Sequence, residues 1–294
     1  MASWRKTRLA KLYKSIVLDG DLTLSVLDTT DIVNDAIKIH KLTPLTAAAL
    51  GRALTVCTFM SGGLKNKSDK LSISINGNGV GGKITVCGNS DLEVRGSIDN
   101  PNVSLPLKDN GKLDVSGCVG NSGRITVVKS MGLKEPYVGT SNIVSGELGE
   151  DFATYFALSE QIPTALAIGV KIGKDLTCVG AGGVVLQALP NAKEENLIKA
   201  ENIVNSLTSV STVIEEKGID GLVKKYFGDI EYQEYYPKYK CLCSQEYIEK
   251  LLISLGKAEV DDIIKTEGAV KIGCQFCDKE YVFTKEDAER IFNE

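Results

Sequence analysis

Eight cysteines are the residues with the most chemistry to offer, and four of them come in close pairs. Cys241-Leu-Cys243 is followed thirty residues later by Cys274-Gln-Phe-Cys277, a C-x-C-x30-C-x-x-C spacing. Four thiolates bracketing a short segment match the donor set of a tetrahedral structural zinc, one ion with Zn–S bonds of roughly 2.3 Å. Four sulfurs leave no position for water, which excludes the usual catalytic zinc. What remains is structure or a redox switch, because thiolates are the oxidisable form of cysteine and oxidation abolishes ligation. A disulfide between i and i+2 or i and i+3 is sterically feasible, so both pairs can close locally. A metal-independent dithiol pair and an iron held by four cysteines are the other readings of the spacing. Cys57, Cys87, Cys118 and Cys178 stand singly and read as core.

Little else in the chain is equipped for chemistry. The single histidine, His40, excludes any site that needs two, and it sits in a helical pattern beside apolar residues, where a structural role fits best. No G-x-x-x-x-G-K-[ST] occurs, so nothing supports ATP-driven action. Gly77-Asn-Gly79-Val-Gly81-Gly lies between strand patterns and reads as hairpin chemistry rather than a dinucleotide loop. Ser159-Glu-Gln161 has no histidine near it in sequence and receives no catalytic role.

Composition narrows the classes further. The 294 residues carry a net charge of −4, with 43% hydrophobic and 24% charged residues, ordinary values for a globular chain of about two domains. The segment from Tyr235 onward holds nine basic and twelve acidic residues, and a four-thiolate zinc adds further negative charge, so nucleic acid is excluded as its partner. No apolar run is long enough for a membrane span, and Ile16-Val17-Leu18 is cut off by Asp19, too short for a signal peptide. The expected location is the cytoplasm, where cysteines stay mostly reduced.

The elements that must position the cysteines follow from periodicity. A charged amphipathic helix fits residues 4–14, a strand Leu22–Leu27, and a helix begins at Thr29/Thr30. Thr43-Pro44 starts a small-residue-rich helix, predicted to be buried all round and to end at Gly62-Gly63. After Ser68 the period becomes 2, with strands at 71–75, 84–86, 92–94, 113–115 and 124–128 separated by Gly or Asn-Gly, which implies hairpins and an antiparallel sheet. A helix at 147–160, broken at Ile162-Pro163, and strands at 165–172 and 183–189 close the unit at Pro190. The fold class is α+β: an N-terminal antiparallel-sheet domain with helices (1–190), a helical linker (191–234) and a small C-terminal zinc-binding domain (235–294).

The linker has an odd interior. Asn202 to Ile214 carries no charge and is built of Asn, Ser, Thr, Val and Ile with one Leu, which costs on the order of 5 kcal/mol of helix propensity against Ala. Such a helix is stable only when packed. Five of the ten tyrosines (226, 232, 235, 236 and 239) follow within fourteen residues, among balanced charges, and read as a packed interdomain surface. Between the cysteine pairs two helices are expected, around Glu246–Leu255 and Val260–Ile264. A strand at 269–272 then delivers the second pair, and Tyr281-Val-Phe283 returns from it.

The cysteine spacing, Tyr155-Phe-Ala-Leu-Ser-Glu-Gln-Ile-Pro163-Thr, Ala181-Gly-Gly-Val-Val-Leu-Gln-Ala-Leu-Pro190 and Asn76-Gly-Asn-Gly together resemble the 33 kDa chaperonin family, redox-regulated heat-shock holdases of bacteria, over essentially the whole chain. The resemblance implies that Cys241, Cys243, Cys274 and Cys277 bind zinc in a reduced, inactive form. It also implies that oxidation forms Cys241–Cys243 and Cys274–Cys277 disulfides, expels zinc, and unfolds the switch and linker. The exposed surface, commonly in a homodimer, would then hold unfolding client proteins without ATP and without being an enzyme. A thiol–disulfide oxidoreductase and a zinc-stabilised binding module without a switch are the alternatives. The first normally opens a helix with its C-x-x-C, which Cys274 does not match.

Overall fold

A computed structural model describes residues 9–207 and 209–293. Two compact units divide the chain, one ending at Lys240 and one starting at Cys241. Among the described residues no helix is long and apolar enough to cross a membrane.

The first unit opens with a hairpin, β1 (Lys11–Val17) and β2 (Leu22–Asp28). The expected helix at 4–14 is thus overturned where it can be seen, and residues 4–8 lie outside the described residues. The apolar spacing of Leu9, Leu12 and Tyr13 imitates a helical stripe, but β1 pairs with β2 along its whole length and is fixed by that partner. Helices α1 (Thr30–His40) and α2 (Pro44–Ser61) follow. In α2 the Thr43 side chain accepts from Thr46 N and Pro44 occupies the first turn. Fifteen of its residues are buried, and the hydroxyls of Thr55 and Thr58 are satisfied within the helix by donating to Gly51 O (2.9 Å) and Leu54 O (2.8 Å).

Strands β3 (Lys70–Asn76), β4 (Ile84–Asn89) and β5 (Glu93–Ile98) form a meander. The segment expected as a strand at 113–115 instead leads into a short helix, α3 (Val115–Val119), because Asp114 accepts from Gly117 N and caps it. β6 (Arg124–Ser130) and β7 (Tyr137–Asn142) complete that sheet. α4 (Gly149–Tyr155) continues into a wider π turn over 156–160, and β8 (Thr164–Ile172) and β9 (Cys178–Ala188) return to the first hairpin.

The linker pattern is two helices, α5 (Glu194–Ser206) and α6 (Val210–Phe227). Ser209 caps α6 through its hydroxyl, accepting from Thr212 N, so the serines and threonines that weaken a helix interior serve its boundary. At Gly218 the backbone leaves helical geometry (φ 71°), which kinks α6. Val213, Ile214, Ile219, Leu222 and Val223 are buried with Leu24, Val26, Val184 and Leu186 of the sheet. Close approach is possible because β9 carries glycine: a Cβ on Gly180 would lie 2.2 Å from the Ser211 carbonyl oxygen.

Two short strands end the unit, β10 (Gln233–Tyr235) and β11 (Lys238–Tyr239). The five-stranded sheet runs β10-β1-β2-β9-β8 and the six-stranded sheet β11-β5-β4-β3-β6-β7. All pairings are antiparallel except β11 with β5. The tyrosine-rich stretch therefore packs on sheet edges of the first unit: Tyr232 stacks on Tyr13 at 4.1 Å, and Tyr239 donates to Gly96 O. His40 ends α1 with Nε2 3.3 Å from the Tyr239 hydroxyl. Cys57, Cys118 and Cys178 are buried as expected, whereas Cys87 on β4 is only half-buried.

The second unit contains α7 (Gln245–Leu255), α8 (Lys257–Glu267), the hairpin β12 (Val270–Gly273) and β13 (Glu280–Phe283), and α9 (Lys285–Asn293). Its core is small: Ile248, Leu252, Val260, Val270, Tyr281, Phe283, Ala288 and Ile291. So short a unit buries too little apolar surface to be comfortably stable by itself.

Candidate metal centre

Cys241 and Cys243 lie in the extended stretch just before α7, whose N-terminus is capped by Ser244 accepting from Tyr247 N (3.2 Å). The cap halts the helix one residue after Cys243 and keeps both thiols outside it. Cys274 and Cys277 occupy the turn of the β12–β13 hairpin. Cys274 N donates to Lys279 O (2.9 Å), and the backbone N–H groups of Cys277 and Asp278 donate to Cys274 O (3.3 and 2.9 Å). The left-handed conformation of Asp278 (φ 59°) closes this turn.

The structure brings all four paired cysteines together. Sγ of Cys241 is 3.5 Å from Sγ of Cys274, Sγ of Cys243 is 3.4 Å from Sγ of Cys277, and the four sulfurs lie within 4.8 Å of one another. A tetrahedron with metal–sulfur bonds of about 2.3 Å has edges of roughly 3.8 Å. The two stated separations fall just under that length and none of the others exceeds 4.8 Å, so the donor set fits one thiophilic ion. Sequence reasoning missed Tyr281, whose hydroxyl donates to Cys243 Sγ at 3.1 Å. It faces Ile272 across the hairpin and could have been found from the strand register. Such outer partners orient a ligand and tune its basicity.

Burial opposes ionisation of Cys243, but the Tyr281 hydroxyl and the neighbouring thiols outweigh it and bring the thiol down to about 7. Burial pushes Cys241 and Cys277 up. All four sulfur-bearing residues are partly exposed. Three of the isolated cysteines are the opposite case: burial raises Cys118 to about 11 and Cys178 to about 12, and pushes Cys57 higher still. Buried and protonated, those three are inert, while the cluster is open to reagents.

An α+β body followed by a small unit gathered around four cysteines defines a protein with a four-sulfur metal-type centre. The family model described as Hsp33 protein matches residues 10–284. The 33 kDa chaperonin of Caldanaerobacter subterraneus subsp. tengcongensis is 43% identical over 268 residues, covering 90% of this chain and 91% of that protein. That of Clostridium perfringens strain SM101 is 41% identical over 289 residues, covering 97% and 92%. The crystal structure of the 33 kDa chaperonin (heat shock protein 33 homolog) from Thermotoga maritima superposes with a TM-score of 0.88 at 33% identity, covering 97% of this chain and 98% of that one. The chain belongs to the Hsp33 family of 33 kDa chaperonins.

Proposed function

We propose that this chain is a redox-regulated, ATP-independent holdase of the cytoplasm, with residues 1–190 as core, 191–234 as linker and 235–294 as switch. Cys241, Cys243, Cys274 and Cys277 hold one zinc ion in the reduced, inactive state. The ion supplies cohesion, tying the loop before α7 to the β12–β13 turn and contributing folding energy that the small core lacks. Peroxide-class oxidants take two electrons from each pair of thiolates: an S–S bond forms, the O–O bond breaks, and two hydroxides leave. The pairs are Cys241–Cys243 and Cys274–Cys277. Cross-pairing of Cys241 with Cys274 would staple together the two loops that the switch must free, whereas closure within each pair unties them.

Once the thiolates are consumed the C-terminal unit unfolds, and residues 191–234 lose the anchored end that follows them. A segment of such weak intrinsic helicity then loosens from the sheet and becomes surface for unfolded or partly folded clients, which the oxidised protein holds as a homodimer. The observation carrying this reading is the cluster of four partly exposed sulfurs within 4.8 Å, in contrast to the three buried single cysteines Cys57, Cys118 and Cys178. Light scattering from a thermally unfolding enzyme tests it: peroxide-oxidised protein suppresses aggregation and reduced protein does not. Equal activity of both forms, or turnover of a dithiol substrate, overturns it.

A further inference from the structure

The last strands of the first unit are edge caps. β10 covers only Leu12, Tyr13 and Lys14 of β1, although β1 is seven residues long and fully paired with β2 on its other side. Several weak interactions hold this strap. Lys11 Nζ lies 2.5 Å from Glu234 Oε1, Tyr232 stacks on Tyr13 and donates to Asp220 of α6 (3.3 Å), and Ser15 donates to Glu231 O (2.6 Å). Lys14 Nζ sits 5.6 Å from the Tyr235 ring centre. No residue of β10 is buried. Three residues later β11 hydrogen-bonds to β5, with Lys238 N to Leu92 O and Lys240 N to Val94 O, and the next residue is Cys241. Both caps thus lie on the short stretch that leads directly into the sulfur cluster.

Beside the strap is a cleft of about 960 Å³, whose lining includes Glu231, Tyr232 and Gln233 from the strap and Ile16, Phe59, Met60 and Phe156 from the body. Its charges are largely committed: Lys129 is bonded to Glu160, and Lys14 donates to the Gly62 carbonyl. With the strap removed, the outer N–H and C=O groups of β1 would adjoin this mixed cleft, in which Ile16, Phe59, Met60 and Phe156 supply apolar wall. An unpaired strand edge is a template for extended backbone, and a flanking apolar pocket accepts alternate side chains of the added strand.

We propose that the β1 edge, uncovered when β10 departs, is a client-binding site that takes an extended apolar segment of an unfolding polypeptide by antiparallel strand addition, with alternate side chains in the adjoining cleft. β10 itself demonstrates the geometry, being an extended segment already seated antiparallel on that edge. The site discriminates for flexible chains with alternating apolar residues and against folded proteins, whose strands are already paired. This inference rests on the holdase reading and adds where and how the client is held.

The test uses the full-length oxidised protein and a fluorescein-labelled heptapeptide of alternating threonine and valine. Two further peptides carry N-methyl groups on the odd or the even residues, so that each loses the donors of one strand edge. We expect the parent peptide to bind only after oxidation, one methylated form to lose at least tenfold in affinity, and the other to stay within twofold. Hydrogen exchange across Lys11–Val17 should accelerate on oxidation and slow again when the parent peptide is added. Equal binding of the two methylated peptides, or no renewed protection of β1, overturns the proposal. If oxidised protein still suppresses aggregation in that case, the holdase reading stands and only strand addition falls. If it neither suppresses aggregation nor takes the peptide, both fall.

Discussion

Replacing Glu93 by glutamine should loosen the β11 cap without disturbing the body. Glu93 is only 7% exposed, and its carboxylate receives Lys240 Nζ at 2.7 Å, Lys238 Nζ at 3.2 Å and Asn89 Nδ2 at 3.1 Å. Hydrogen bonds to a charged group are worth about 1.5–3 kcal/mol each, but both ammonium groups are at least half exposed and screened by water. About 1 kcal/mol apiece is the appropriate discount, so Glu93→Gln removes about 2 kcal/mol from the closed cap. At 1.4 kcal/mol per decade, the cap opens about 30-fold more often. Site-resolved hydrogen exchange on the reduced, metal-loaded protein reads this directly at the amides of Lys238 and Lys240, which should exchange about 30-fold faster while amides of β2 and β9 hold their rates. Rates within twofold of the parent would refute the assignment of Glu93 as the clamp, and equal acceleration in β2 would show a global rather than a local effect.

Three other expectations follow from the same contacts. Tyr281→Phe keeps the ring in the small core but removes the hydroxyl that donates to Cys243 Sγ, so metal affinity measured against a chromophoric chelator should fall by about tenfold, and an unchanged affinity would remove Tyr281 from the centre. Lys240 first, then Asn89 and Lys238, hold the Glu93 carboxyl down at about 2 against the usual 4.5. Its contribution is therefore complete above about pH 4.5 and is lost as pH falls toward 2. Exchange at Lys238 and Lys240 should rise over that window in the parent, after correction for the intrinsic rate, and should show no such step in Glu93→Gln. Leu222 on α6 is fully buried, so Leu222→Ala should cost about 2–4 kcal/mol of local stability and speed proteolysis within 210–227; an unaltered digestion pattern would contradict the dependence of α6 on packing.

The site is legible in sequence to the extent that covalent chemistry dictates spacing. Four thiols in two close pairs specify a tetrahedral donor set before any fold is known, and the hairpin and helices between them follow from ordinary periodicity. α2 is equally readable, because Thr43, Pro44 and Gly62 are local signals. β1 is not: its apolar residues fit a helical stripe, and its partners decide otherwise, β2 nearby and β10 more than two hundred residues away. Leu113–Val115 misleads because alternation over three residues carries less weight than the Asp114 cap. β10 and β11 are too short and too polar for any pattern to mark, so the edge caps and the role of Glu93 emerge only from tertiary pairing. The composition of the uncharged stretch at 202–214 shows that it needs packing, yet whether it forms one helix or two turns on the Ser209 cap.

The central claim is that sulfur-held metal gives the C-terminal unit its cohesion. Hydrogen exchange on the full chain under reducing conditions, before and after the metal is stripped with a high-affinity chelator, tests it most directly. The expected result is loss of protection throughout 241–293 and then across 231–240, with the core strands β2, β3 and β9 unchanged. A C-terminal unit that stays protected after complete removal of the metal would contradict the claim.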